Sequence, residues 1–408
     1  MLDINRRKFL IAGAGVGAAG LLTGVVGITL PDLLDAARDR PLPVGSGILV
    51  IVTLYGGNDG INTVIPYTND AYHEARPDLA YAPDEVLPLD GQFALNPAFA
   101  GLAGSWRSRQ LAIVRGVGYP NPDRSHFRSM DIWQTASPKD PVPTGWIGRW
   151  LDAGGDDPLR AVNVGAVLPL LAVGEKQVAS ALSDSIPRIP DGIASTLSAL
   201  SEDDPHDTPA MSAVRRSYRA SKVTEPEFGR VVKGIDPTAA SQSADEDSLE
   251  SQLDLVARCV KAAVPTRVYM VSLGGFDTHA DERGTQEDLL KKVDQALTPF
   301  LRQMRTNSLG KKLVVMVYSE FGRRVAANAS QGTDHGSAGP VLLAGAPVKG
   351  GFYGDEPSLT DLNDGDLKIT TDFRDIYHEL LTHTLESDPV PSIGPGRRDI
   401  GFLRPDGT

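Results

Sequence analysis

The chain holds one cysteine, Cys259, in 408 residues. No second thiol exists for it, so no disulfide partner is expected and a fold stapled by cross-links is excluded. No cysteine stands at the end of the N-terminal apolar stretch, which excludes a lipoprotein. Cys259 lies in a helical-looking stretch and reads as a small buried apolar residue. Positive charge is also short. Lys and Arg number 40 against 52 Asp and Glu, a net charge of −12. Such a balance excludes nucleic acid and anionic lipid as main partners. A small anion can still bind, but only through a local cationic site or a metal.

What is present begins with Asn5-Arg6-Arg7-Lys8-Phe9-Leu10, followed by 22 uncharged residues from 9 to 30. That is the basic and then apolar layout of a secretory signal. The paired arginines fit its twin-arginine form, so the twin-arginine translocase is an expected partner. The expected location is the periplasm, the cell envelope or the medium. Retention by an uncleaved N-terminal helix is also open, since 22 uncharged residues could span a bilayer of about 30 Å. The leader is read as residues 1–37, with 34–38 a fair cleavage site. Within it Arg6, Arg7 and Lys8 cancel Asp3, Asp32 and Asp35, so the remainder keeps the full negative charge.

Residues 45–408 read as one domain. Ile48–Leu54 is a β-branched apolar run bounded by glycines, as in a buried parallel strand. Leu111–Val114, Arg267–Leu273, Leu313–Tyr318 and Val341–Ala344 are further strands. Helical periodicity fills the segments between them at 248–263, 286–305 and 372–385. In the second of these, Leu289, Leu290, Val293, Ala296, Leu297, Phe300, Leu301 and Met304 form one apolar face. Strands alternating with helices predict an α/β fold with a mostly parallel sheet covered on both faces. Residues 183–247 are rich in Ser, Asp, Glu and Pro and read as a polar insertion.

Ligands of open α/β sheets gather at the carboxyl ends of strands. After the first strand come Asn58 and Asp59 among glycines, either a plain turn or a source of oxygen ligands. Asp277 and His279 follow the third strand, where Asp277 could equally cap a helix. Glu320 follows the fourth, and a loop then leads to Asp334-His335 between glycines. Arg124-Ser125-His126 stands where a helix begins. Ser125 there is an N-cap, a nucleophile, or both. Arg149, in Thr144-Gly-Trp-Ile-Gly-Arg149, can serve an anion or the structure. His378 and His383 read as packing or exposed residues. Asp59, Asp277, His279, Asp334 and His335 mix carboxylate with imidazole, which suits Zn²⁺ or Mn²⁺, one or two ions, better than Ca²⁺. Two ions about 4 Å apart would polarise a phosphoryl or sulfuryl group.

The series GGNDG, RSHF, GWIGR, GGFDTH, SEFGRR, GTDHG and TDFR resembles a family of exported bacterial proteins of unknown function, the domain of unknown function 1501. That family is similar to a distant branch of the alkaline phosphatase, sulfatase and phosphoglycerate-mutase superfamily. The resemblance implies a three-layer α/β/α core and a metal centre at the strand ends. It implies Asp59, Asp277, His279, Asp334 and His335 as ligands and Ser125 as nucleophile. Arg124, His126, Arg149 and Asn58 would then assist on a small anionic ester. Two departures stand out. Asp277 and His279 are two apart instead of four, and Glu320 holds the strand end while Asp334 comes 14 residues later. Either the loop folds back or Glu320 is itself a ligand. The absence of a Cys or Ser in a C/S-x-P-x-R pattern argues against an ordinary sulfatase. The expected function is a metal-dependent hydrolase of phosphate or sulfate esters. The alternative is a non-catalytic exported protein of the same fold that binds a cell-envelope partner.

Overall fold

The computed structural model describes residues 27–155, 157–165, 167–182 and 248–404. The segment read as a polar insertion and nearly all of the basic and apolar leader lie outside them. No helix among the described residues is long and apolar enough to cross a membrane.

The strands in chain order are β1 (Gly27–Ile28), β2 (Ile48–Leu54), β3 (Val64–Ile65), β4 (Leu87–Pro88), β5 (Ala94–Leu95), β6 (Leu111–Gly118), β7 (Ala161–Val164), β8 (Ser180–Leu182), β9 (Val268–Leu273), β10 (Leu313–Ser319), β11 (Gly339–Ala344), β12 (Gly351–Tyr353) and β13 (Thr371–Asp372). The α-helices are α1 (Leu30–Asp39), α2 (Asp70–Ala75), α3 (Ala100–Arg107), α4 (His126–Thr135), α5 (Trp146–Ala153), α6 (Leu249–Lys261), α7 (Glu282–Thr306), α8 (Phe373–Glu379) and α9 (Val390–Ile393).

Ten strands form one sheet in the order β1-β8-β7-β9-β2-β10-β11-β6-β12, with β13 paired to β6. Only β11 runs against its neighbours, β10 and β6. The sheet is therefore mostly parallel, as the uninterrupted apolar runs require. All seven residues of β2 are buried. Its alternate side chains serve two different cores. Ile48, Val50, Val52 and Leu54 pack with Leu253 and Val256 of α6 and with Leu290, Val293 and Leu297 of α7. Leu49 and Ile51 pack with Trp133 of α4, Trp146 and Trp150 of α5, and Tyr377 of α8. Both faces are thus covered, and the architecture is three-layer α/β/α.

All five expected strands are present, and the 286–305 pattern becomes α7. Three details differ from the sequence reading. The helix expected over 372–385 stops at Glu379 and continues as a π-turn, Leu380–Thr384. Short strands β7, β8 and β12 lack a long apolar run and carried no signal. The fold also begins before residue 45, because β1 pairs with β8 and α1 buries Leu33 and Ala37. Cys259 is buried, and burial pushes its thiol up to about 12, so it acts as a small apolar group.

Candidate metal centre

The carboxyl ends of β9, β2 and β10 lie side by side, because Leu54 pairs with Leu273 on one flank and with Ser319 on the other. Three loops leave the sheet at this level, and glycine lets them crowd together. A Cβ on Gly56 would stand 2.4 Å from the amide nitrogen of Asp277, and one on Gly57 would stand 2.2 Å from the Phe321 ring. Both glycines also have positive φ, 121° and 69°, which other residues seldom adopt.

The loop after β10 folds back on itself. Gly322 N–H donates to Ser337 O at 3.0 Å, Arg324 N–H to Asp334 O at 3.0 Å, and Gly336 N–H to Gly322 O at 2.9 Å. This narrow hairpin returns Asp334-His335 to the strand end where Glu320 sits. The loop thus folds back, the first of the two alternatives left open by the sequence, while Glu320 contacts the outer nitrogen of His126.

Helix α4 supplies the fourth side. Ser125 is its N-cap, and His126 is its first residue. Three imidazoles meet at one carboxylate oxygen, Asp277 Oδ1. His279 Nε2 and His335 Nε2 each lie 3.1 Å from it, and His126 Nε2 lies 3.4 Å away. His279 Nε2 and His335 Nε2 are 2.9 Å apart. His126, Asp277 and His335 each offer a ligand atom within 4.8 Å of the others. Phe321 packs against both His126 and His335, with ring centroids 4.9 Å away in each case.

The outer nitrogens decide what faces inward. His335 Nδ1 lies 2.8 Å from the carbonyl oxygen of Arg124. A carbonyl only accepts, so Nδ1 carries a proton, and in the neutral ring Nε2 is then a bare lone pair. His126 Nδ1 lies 2.8 Å from Glu320 Oε1. That carboxylate also receives Gly56 N–H at 2.9 Å and the Ser319 hydroxyl at 3.0 Å, so it too is an acceptor. His279 Nδ1 faces Asp334 Oδ1 at 3.4 Å. His126 and His335 are thus anchored at Nδ1 by an oxygen, His279 Nδ1 only faces one, and all three turn Nε2 toward Asp277 Oδ1. This is the arrangement of metal-ligating histidines, whose second nitrogen is held by a carboxylate or carbonyl.

The donor set fits a divalent cation. His126 Nε2 is buried and has no hydrogen-bond partner. In the neutral tautomers these lone pairs beside a carboxylate repel one another unless a ring proton or a metal ion lies among them. Donors about 2.0–2.1 Å from a tetrahedral ion stand roughly 3.3–3.4 Å apart, close to the separations found here. Burial would raise the Asp277 carboxyl, but hydrogen bonds from Arg323 and His335 outweigh it and hold the group down at about 2. Asp277 is therefore an anion at any physiological pH. Its side chain and that of His279 are nearly half exposed, so the cluster is open to solvent.

The other expected site residues stand differently. Asp59 is fully buried, and its two oxygens bond the Arg76 guanidinium, one at 3.0 Å from Nη2. Asp59 therefore forms a buried ion pair and does not join the ligand cluster. The Asn58 side chain is also buried, donating to Thr63 and receiving Gln286 Nε2 at 3.1 Å, so it cannot reach a substrate. Arg149 spends its donors on the carbonyls of Thr135, Thr144 and Ser392. It is a structural clamp; burial lowers it to about 10. Arg124 gives its guanidinium to Asp366 and Asp364, so its contribution to the centre is its backbone carbonyl. Glu320 orients His126 from behind, and Asp334 faces the outer nitrogen of His279. Ser125 lies between Arg124 and His126, both of which touch the cluster. Its side chain is exposed and makes no capping hydrogen bond.

The sequence reading missed three residues. Arg76 lies in an unremarkable helix end and is fully buried. Glu282, also buried, is raised to about 9 by burial and then by the charge of Asp59. It accepts from the Thr333 hydroxyl at 2.5 Å. Arg323, within the SEFGRR motif, joins Asp277 at 2.8 Å. The motif held the clue, but only the fold shows which of its two arginines turns inward.

No curated protein sequence matches the chain. Among solved structures, similar ones include a protein in the alkaline phosphatase superfamily from Vibrio parahaemolyticus, 12% identical, covering 93% of this chain and 80% of that one at a TM-score of 0.38. A phosphonate monoester hydrolase from Silicibacter pomeroyi is 10% identical, covering 89% and 78% at a TM-score of 0.38. The C-terminal periplasmic domain of EcEptC from Escherichia coli, in complex with Zn, is 12% identical, covering 87% and 90% at 0.37. The case for the site therefore rests on this chain's own side chains. Through residues 191–389 the chain matches the family described as protein of unknown function (DUF1501), the family that its motif series resembles.

Proposed function

We propose that the chain is an exported metal-dependent hydrolase of phosphate or sulfate esters. The observation that carries this reading is the approach of three Nε2 atoms to Asp277 Oδ1, with His126 and His335 anchored from behind. Zn²⁺ or Mn²⁺ suits such a donor set. A bound ion would act as a Lewis acid on the ester oxygens. The chain's own residues supply the rest. Glu320 and the Arg124 carbonyl hold His126 and His335 in the ligating tautomer. The half-exposed Asp277 and His279 leave the centre open to a ligand. Ser125 presents a free hydroxyl at the N-terminus of α4, where the helix dipole and unpaired N–H groups favour an anion. In this reading Ser125 Oγ bonds to phosphorus or sulfur while the ester's alcohol departs. The serine proton leaves to solvent, and water later frees the acid.

Screening the purified protein against phosphate and sulfate esters, with Zn²⁺, Mn²⁺ and a chelator, tests the reading. Turnover that a chelator abolishes and metal restores is expected. A protein that binds the ion and hydrolyses none of these esters would be the non-catalytic exported protein instead. Export rests on Arg6-Arg7 ahead of the uncharged run. Replacing both with Lys should leave the protein in the cytoplasm, and unchanged export of that variant would count against it.

A further inference from the structure

We infer that Phe321 is a positioning residue of the centre, the wall that sets the angle between the imidazoles of His126 and His335. This deepens the metal-dependent reading and rests on it. A hydrogen bond at Nδ1 settles which nitrogen faces Asp277, but it only weakly restrains the tilt of the ring plane. A contact on the face of the ring supplies that restraint. One phenyl supplies it to both imidazoles. The Phe321 centroid lies 4.9 Å from that of His126 and 4.9 Å from that of His335, inclined by 38° in each case. The two imidazoles meet edge to face, 4.3 Å apart and inclined by 75°. The three rings are therefore in mutual contact, and a turn of either imidazole meets another ring.

Phe321 is itself held. Its side chain is buried. It occupies the room that Gly57 leaves, since a Cβ there would stand 2.2 Å from ring carbon Cε2. The next residue, Gly322, ties the backbone into the base of the returning hairpin through Ser337 O and Gly336 N–H. The preceding residue, Glu320, holds His126 Nδ1 at 2.8 Å. Glu320-Phe321 thus grips His126 at its edge and on its face. His335 is gripped likewise, at its edge by the Arg124 carbonyl and on its face by Phe321. Ligands locked by packing before the ion arrives lose less freedom on binding it. Leucine would fill much of the same space, but it has no flat face to offer two rings.

Two measurements on the full chain test this. In the metal-free wild type, NMR relaxation of the imidazole C–H groups should show His126 and His335 already rigid, with order parameters near the rigid value of about 0.85. Imidazoles that swing freely before metal is added would overturn the inference. In Phe321→Leu both order parameters should fall, and Zn²⁺ affinity against a chromogenic chelator should drop about tenfold. Denaturant unfolding checks that the variant is folded, and Phe321→Met replaces it if it is not. A folded variant with unchanged ring order and unchanged affinity would overturn the inference and leave the hydrolase reading standing. A wild type that binds no Zn²⁺ would overturn both.

Discussion

Glu320 and His126, 194 positions apart in the chain, meet at 2.8 Å through Oε1 and Nδ1, and this contact fixes which imidazole nitrogen faces Asp277. The carboxylate is buried at the end of β10 and receives two further donors, so it is held in place before any ligand arrives. Glu320→Gln can accept through its oxygen but loses the charge that strengthens the bond. Metal affinity should fall about 10–100-fold, as for other outer-shell partners. Equilibrium competition with a chromogenic chelator measures it, and an unchanged affinity would deny Glu320 its orienting role.

Asp59 separates stability from ligation. Asp59→Asn leaves Arg76 charged and buried without its partner, which should cost about 3–5 kcal/mol. The number of bound ions should stay the same, because Asp59 is not among the ligands. Denaturant unfolding together with metal counting checks both halves. Loss of the ion from a variant that still folds would return Asp59 to the ligand set.

Glu282 gives a pH signature. Its folded value is raised to about 9 from an ordinary 4.5, by burial first and the Asp59 charge second. Between those values the folded state keeps a proton that the unfolded chain has released. Its contribution to stability is therefore complete below about 4.5 and is lost as pH rises through about 9. Glu282→Gln is neutral throughout, so stability should fall less steeply on the alkaline side. Melting curves from pH 5 to 9 check this, with identical slopes in both proteins as the contrary result.

Ser125 tests the chemistry apart from the fold. Its hydroxyl makes no capping bond, so Ser125→Ala should change stability by less than about 0.5 kcal/mol. Turnover of whichever ester is hydrolysed should disappear, while metal affinity is retained. A variant that stays active would leave Ser125 as a helix start only.

The layers of the fold were legible because β2, β9, β10 and β11 are runs of apolar, largely β-branched residues that a sheet buried on both faces requires. Short β7, Ala161–Val164, includes Asn163 and lacked that signal. Among the site residues, Asp277, His279, Asp334 and His335 were visible because the motifs place them directly after strands or between glycines. The direction in which a side chain turns was not visible. Asp59 follows its strand as a ligand would, yet it is claimed by Arg76, a residue whose neighbours in sequence give no sign of its burial. Arg149 sits in an equally distinct motif and serves only backbone carbonyls. His126 read as a helper to Ser125, because its anchor on Glu320 exists only once α4 meets β10.

The central claim is that the imidazoles gathered at Asp277 hold a divalent ion. X-ray absorption at the zinc edge of the Zn²⁺-loaded protein tests it most directly. The account predicts the outer-shell scattering of several imidazole rings, reduced in His279→Ala and His335→Ala. A spectrum of oxygen ligands alone, indifferent to both substitutions, would contradict it.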